Sequence, residues 1–158
     1  MSEPCGIPRT PDRQSFEDYL DANGSLTYPN VGVSMMPLLR QGRDLFTVRK
    51  KGSERCKAGD VVLYKRPPDS YVLHRVVEVR ENDYVILGDN CAAKEYGIKD
   101  ADILGVMTGY VRGGREHSTD DAGYRLYSSV WMHTIPLRIA LKKAVQRLKN
   151  LVKKIIRP

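Results

Sequence analysis

A chain of 158 residues, 41% apolar and 28% charged, is long enough to bury one core without disulfide or metal staples and too apolar to stay disordered. No apolar run approaches the ~18 residues that cross a bilayer as a helix, and the first twenty residues carry neither a basic start nor an apolar block, so no secretory leader is predicted. The net charge of +7 belongs to one place: residues 138–158 hold eight basic side chains and no acid, leaving 18 basic against 19 acidic residues elsewhere, a distribution that does not suggest a nucleic-acid partner.

Residues 1–14 are rich in Pro, Gly and charge and read as a flexible tail. Ser15-Phe16-Glu17-Asp18 has the spacing of a capping box, opening a short helix through about Asp21 that Asn23-Gly24 stops. From Val31 to about Tyr127 the pattern turns strand-like. Leu45–Val48, Asp60–Lys65, Tyr71–Arg80, Tyr84–Gly88 and Ile103–Arg112 are β-branched or aromatic runs separated by Gly, Pro, Asn and Asp, as in a mainly antiparallel β domain. Pro67-Pro68-Asp69-Ser70 and Glu81-Asn82-Asp83 read as tight connections. The polar stretch Gly113–Gly123 interrupts the pattern, and Tyr124–Trp131 reads as a return to the sheet.

Residues 132–158 form a predicted amphipathic helix. At ~100° per residue, Leu137, Leu141, Ala144, Val145, Leu148, Leu151, Val152 and Ile155 share one side, opposite the eight basic residues. Such a helix either docks on the sheet with a solvated basic face or lies on an anionic membrane surface; the lack of any acid favours the second.

Three stretches carry residue types a hydrolase needs. In Gly32-Val33-Ser34-Met35-Met36-Pro37 a serine sits on a constrained turn, where its hydroxyl serves as a nucleophile if a base takes its proton or as a cap if none does. In Tyr71–Val77, strand alternation puts His74 on one face with Val72 and Val76; an imidazole there is either a general base or a satisfied strand histidine. The stretch Leu87–Gly97 has Gly88-Asp89-Asn90 directly after a strand, followed by Glu95. Asp89 and Glu95 both offer a carboxylate to orient an imidazole, and spacing does not choose between them. The three cysteines (Cys5, Cys56, Cys91) are odd in number and lack C-x-x-C spacing, which predicts a reducing, cytoplasmic setting. No His lies at metal-ligand spacing from a Cys or carboxylate, so neither a metal nor any other cofactor is expected.

Taken in order, these stretches resemble the signal peptidase I family and its relatives, the LexA-type self-cleaving repressor peptidases. The likeness covers about half the chain: G-x-S-M-x-P at Gly32–Pro37, Gly42-Arg43-Asp44, Gly59-Asp60-Val61-Val62, His74-Arg75-Val76-Val77, Gly88-Asp89-Asn90 and Ile103-Leu104-Gly105-Val106. Leader and repressor peptidases carry lysine where this chain has His74; histidine followed by Arg-Val marks the endoplasmic-reticulum and archaeal branch. The resemblance implies a β-rich peptidase domain over 15–131, Ser34 as nucleophile, His74 as base, and Gly32, Val33, Met35 and Met36 beside an extended peptide or leader substrate. It places the acid of that branch at Glu95, in Glu95-Tyr96-Gly97, where the family has Asp-x-Gly; Asp89 holds the turn or serves as the acid instead. Gly32 replaces a serine that lends signal peptidases an oxyanion donor, and the family's membrane anchor is missing, which suggests a cytoplasmic member resting on the inner leaflet through its C-terminal helix. The alternative is a non-catalytic peptide- or membrane-binding module. A cleavage-regulated repressor lacks a helix-turn-helix segment, and Cys91 as nucleophile lacks an electropositive helix start before it.

Overall fold

Helix α1 (Phe16–Asn23) opens where the capping box predicts: the Ser15 hydroxyl accepts the Asp18 amide at 3.0 Å. It closes on Gly24, whose φ of 72° is left-handed and whose amide donates to Leu20 O at 2.8 Å. The computed structural model describes residues 15–156. The predicted tail over 1–14, with Cys5, and the last two residues lie outside the described residues.

Eight strands form one open antiparallel sheet: β1 (Ser25–Pro29), β2 (Leu45–Lys50), β3 (Val61–Arg66), β4 (Ser70–Val79), β5 (Tyr84–Leu87), β6 (Glu95–Ile98), β7 (Ile103–Arg112) and β8 (Arg115–Ser118). Their order is β1-β2-β7-β3-β4-β5-β6, with β8 paired to the far end of β7. The mainly β class read from the sequence therefore holds. The strand-like pattern begins earlier than expected, at Ser25, while residues 31–44 are turns.

Both faces of the central strands are covered. Val61 through Tyr64 and Tyr71 through Val76 are all buried, so these strands read as continuous apolar runs rather than as an alternation. On one face Val61, Leu63, Tyr71 and Leu73 pack with Phe16 and Leu20 of α1 and with Met35, Leu38 and Leu39 of the turn segment. On the other, Val62, Tyr64, Val72 and Val76 pack with Tyr84, Ile86 and Ile103. The register pairs Val62 with His74, which sets His74 among the second group. Arg75 faces the first.

The reading of Tyr124–Trp131 as strand is corrected. These residues lie in helix α2 (Ala122–His133). Aromatic content favours strand, but Tyr124, Tyr127 and Trp131 recur three and four apart, a helical period, and Arg75 with Asp89 awaits them underneath. Likewise Gly113–Gly123 does not merely interrupt the sheet: Gly113 and Gly114, at φ 57° and 76°, turn the chain back so that β8 pairs β7. Helix α3 (Ile135–Ile156) follows Thr134; Pro136 has no N–H to continue the ladder of α2, which breaks there.

Candidate active site

Strand β4 places His74 with only 5% of the residue exposed, and the turn after β5 brings Gly88 against its ring. A Cβ on Gly88 would lie 2.8 Å from His74 Nε2, 2.9 Å from the Ser34 carbonyl oxygen and 2.7 Å from Cys91 Sγ. The imidazole, the backbone of Ser34 and the Cys91 thiol therefore converge on one point, kept open because residue 88 has no side chain.

The serine turn is held from three sides. Asn90 N–H donates to Ser34 O at 2.7 Å, and Asn90 Nδ2 donates to Val33 O at 3.1 Å. Asn30 Nδ2 reaches Gly32 O at 3.2 Å, and Gly32 sits at φ 86°, a left-handed conformation suited to glycine. Arg112 donates to both Pro37 O and Leu38 O, and the buried Asp44 accepts the Arg40 amide at 2.8 Å. These bonds account for carbonyls of the turn. Val33 and Met36 are exposed at its lip, 51% and 37%. Met35, expected beside the substrate, is instead 1% exposed and packs in the core with Leu38 and Leu39; its side chain is drawn inward by apolar burial, worth about 2 kcal/mol for such a residue.

The two carboxylates part company. Glu95 Oε1 lies 3.1 Å from His74 Nδ1. Arg66 grips the same carboxylate with Nη2 at 2.6 Å from Oε1 and Nε at 3.0 Å from Oε2, and Tyr64 OH lies 3.4 Å from His74 Nδ1. Burial raises the pKa of Glu95, but hydrogen bonds from His74 and Tyr64, the His74 charge and Arg66 outweigh it and hold the group at about 2. Burial and the Glu95 charge push the Tyr64 hydroxyl upward, so it stays a donor.

Asp89 faces away from this cluster. Its carboxylate takes the Arg75 fork, Nε to Oδ1 and Nη2 to Oδ2, both at 2.8 Å, and Tyr127 OH donates to Oδ2 at 2.9 Å. Arg75 Nη1 also donates to Gly59 O and Ser128 Oγ at 2.8 Å. This buried pair fastens α2 to the sheet. Of the two carboxylates left open by spacing, Glu95 is the one on the imidazole.

His74 Nε2 is buried and has no hydrogen-bond partner among the described residues. The atom lies beside the Ser34 backbone at Gly88, and a buried polar atom left unpaired costs about 1–3 kcal/mol. His117 stacks on Tyr110 and His133 hydrogen-bonds to Ser129 O, both outside the cluster. Burial pushes the Cys56 thiol up to about 11, which makes it inert. Among the described residues no group of three His, Cys, Asp or Glu side chains could hold a metal ion.

Sequence reasoning missed Tyr64 and Arg66, because their role depends on the β3–β4 hairpin and the start of β6 meeting in space. It also took Gly88 only as a turn residue. Comparison with family models, with curated proteins and with solved structures gives no match.

Proposed function

We propose that the chain is a serine endopeptidase of the signal-peptidase/LexA type, with Ser34 as nucleophile, His74 as base and Glu95 as the acid that orients it. The observation that carries this reading is the meeting of His74 Nε2 and the Ser34 backbone at Gly88, with Nε2 unpartnered and Nδ1 on Glu95. An imidazole held from behind at one nitrogen and free at the other is what general-base activation of a hydroxyl requires. The Ser34–His74 hydrogen bond is not made in this arrangement, and such contacts often close only on substrate.

In the proposed reaction Ser34 Oγ attacks the scissile carbonyl as its proton passes to His74 Nε2, while Glu95 stabilises the imidazolium through Nδ1–H. The tetrahedral oxyanion rests on backbone N–H groups, that of Ser34 among them, since Gly32 offers no hydroxyl. His74 returns the proton to the leaving amine, giving an acyl-enzyme; water, deprotonated by the same imidazole, then releases the acid and regenerates Ser34. An extended peptide or leader segment suits the exposed Val33 and Met36 at the lip.

A fluorophosphonate probe tests this directly, on wild type and on Ser34→Ala, His74→Ala and Cys91→Ser. Labelling of wild type and Cys91→Ser but not of the other two supports the reading. Wild type labelling no faster than Ser34→Ala would leave a non-catalytic peptide- or membrane-binding module.

A further inference from the structure

Helix α3 touches the rest of the molecule along one narrow strip near its start. Arg138 Nη1 donates to Asp89 O at 2.9 Å and its guanidinium lies 4.0 Å over the Trp131 ring. Lys142 Nζ donates to Asn90 O at 2.6 Å and to Asn90 Oδ1 at 2.5 Å. Two of the eight cations are therefore spent on holding the helix to the turn after β5, and do not belong to a free basic face.

The apolar side of the helix is left uncovered. Leu137 is 69% exposed, Leu141 63%, Leu148 62% and Leu151 58%, with Val145 and Val152 near half. At ~100° per residue these side chains span an arc of about 120°. Exposed cations continue round the helix from both edges of that arc, Lys149 and then Lys153 beyond Val145, and Arg147, Lys154 and then Lys143 beyond Leu151. On the far side Gln146 and Asn150 lie between Lys153 and Lys143. Near Leu141 the arc meets Met36 and Pro37 of the serine turn across a shallow cleft of about 310 Å³, so the uncovered surface continues from the helix to the lip of the site.

We propose that helix α3 lies in the headgroup layer of an anionic phospholipid bilayer, its leucines among the acyl chains and its border of lysines and arginine on the lipid phosphates. An apolar arc flanked on both sides by long cations, with no acid in the segment, complements a negative surface and repels a second copy of itself. Among the described residues no helix is long and apolar enough to cross a membrane, so the helix rests on the surface. The inference stands without the peptidase reading, and its test does not use activity.

The full chain is sedimented with vesicles of phosphatidylcholine alone and with vesicles containing phosphatidylglycerol, at low and high salt. Wild type is expected to pellet with the anionic vesicles at least about tenfold more than with neutral ones, and to be released by salt. Leu148→Asp with Leu151→Asp, both exposed positions, lowers binding by about tenfold or more with the fold unchanged by circular dichroism. Lys149→Glu with Lys153→Glu does the same while leaving the apolar arc intact. Equal partition into neutral and anionic vesicles, or anionic binding untouched by either double variant, overturns the proposal. So does a lipid-free dimer in sedimentation velocity that Leu148→Asp dissociates, because the arc is then covered by a second chain.

Discussion

Arg66 and Glu95 form a two-point ion pair whose Oε1 is shared with His74 Nδ1, at 2.6 Å from the guanidinium and 3.1 Å from the ring. The carboxylate is therefore clamped from one side while it steers the imidazole on the other. A lone Glu on a loop would swing; this one has a fixed address.

Glu95→Gln keeps the shape and removes the charge that stabilises an imidazolium. The labelling rate is expected to fall on the order of 10³-fold. Arg66→Ala frees the carboxylate rather than removing it, and a smaller drop, about tenfold, is expected. Equal losses in the two variants would mean that the carboxylate orients His74 only while Arg66 clamps it, so that the two act as a unit.

Glu95 also sets an acid limit on stability. Its folded pKa is about 2 against an ordinary 4.5, so below 4.5 the unfolded chain takes up a proton that the folded chain refuses. The stabilisation, on the order of 2–3 kcal/mol, is complete above that pH and is lost as pH falls toward 2. Urea melts of wild type and Glu95→Gln should differ most at neutral pH and converge across this window. A constant gap at every pH would show that the carboxylate's charge is not the source.

Gly88→Ala puts a methyl group 2.8 Å from His74 Nε2 and 2.9 Å from the Ser34 carbonyl. The backbone at Gly88 is not left-handed, so the residue itself accepts alanine and the cost is one of overpacking, about 1–3 kcal/mol. The protein should fold, with a modest loss in thermal stability, yet label at least about 100-fold more slowly. Wild-type labelling would place the reacting groups elsewhere.

Arg75 and Asp89 are each 1% exposed at the side chain. Arg75→Met strands a buried carboxylate and should cost about 3–5 kcal/mol in urea unfolding. Arg75→Met combined with Asp89→Asn should recover part of that loss, because no buried charge is left unpaired. A double variant as unstable as the sum of the single ones would show that the two act independently.

Cys91 Sγ crowds the same point as the imidazole, so the proposed nucleophile has a thiol beside it. Iodoacetamide on Cys91 should block fluorophosphonate labelling of Ser34 by filling the space, whereas Cys91→Ser should label at close to the wild-type rate. Loss of labelling in Cys91→Ser would transfer the nucleophilic role to the thiol.

Strands β2, β3, β4, β5 and β7 are legible because β-branched runs and turn residues are local signals, and their bounds agree within a residue or two. Strands β1, β6 and β8 are not. Glu95-Tyr96-Gly97-Ile98 has no strand-like pattern of its own and becomes a strand by pairing with β5. Tyr124–Trp131 was misread because aromatic composition outweighed its helical spacing. In the site, the likeness of motif order pointed to Ser34 and His74, and alternation put His74 on the Val72 and Val76 face. The choice between Asp89 and Glu95 lay beyond reach: both follow one strand, and which meets His74 and which meets Arg75 is decided by how residues 88–94 loop round. The eight cations at the end looked alike in sequence, yet Arg138 and Lys142 turn inward because Asp89 and Asn90 offer carbonyls to them.

Asn90 is a junction. Its carbonyl and side-chain oxygen hold Lys142 of the last helix, while its amide and side-chain nitrogen hold the carbonyls of Ser34 and Val33. The last helix and the segment bearing the hydroxyl are thus fastened to one and the same asparagine.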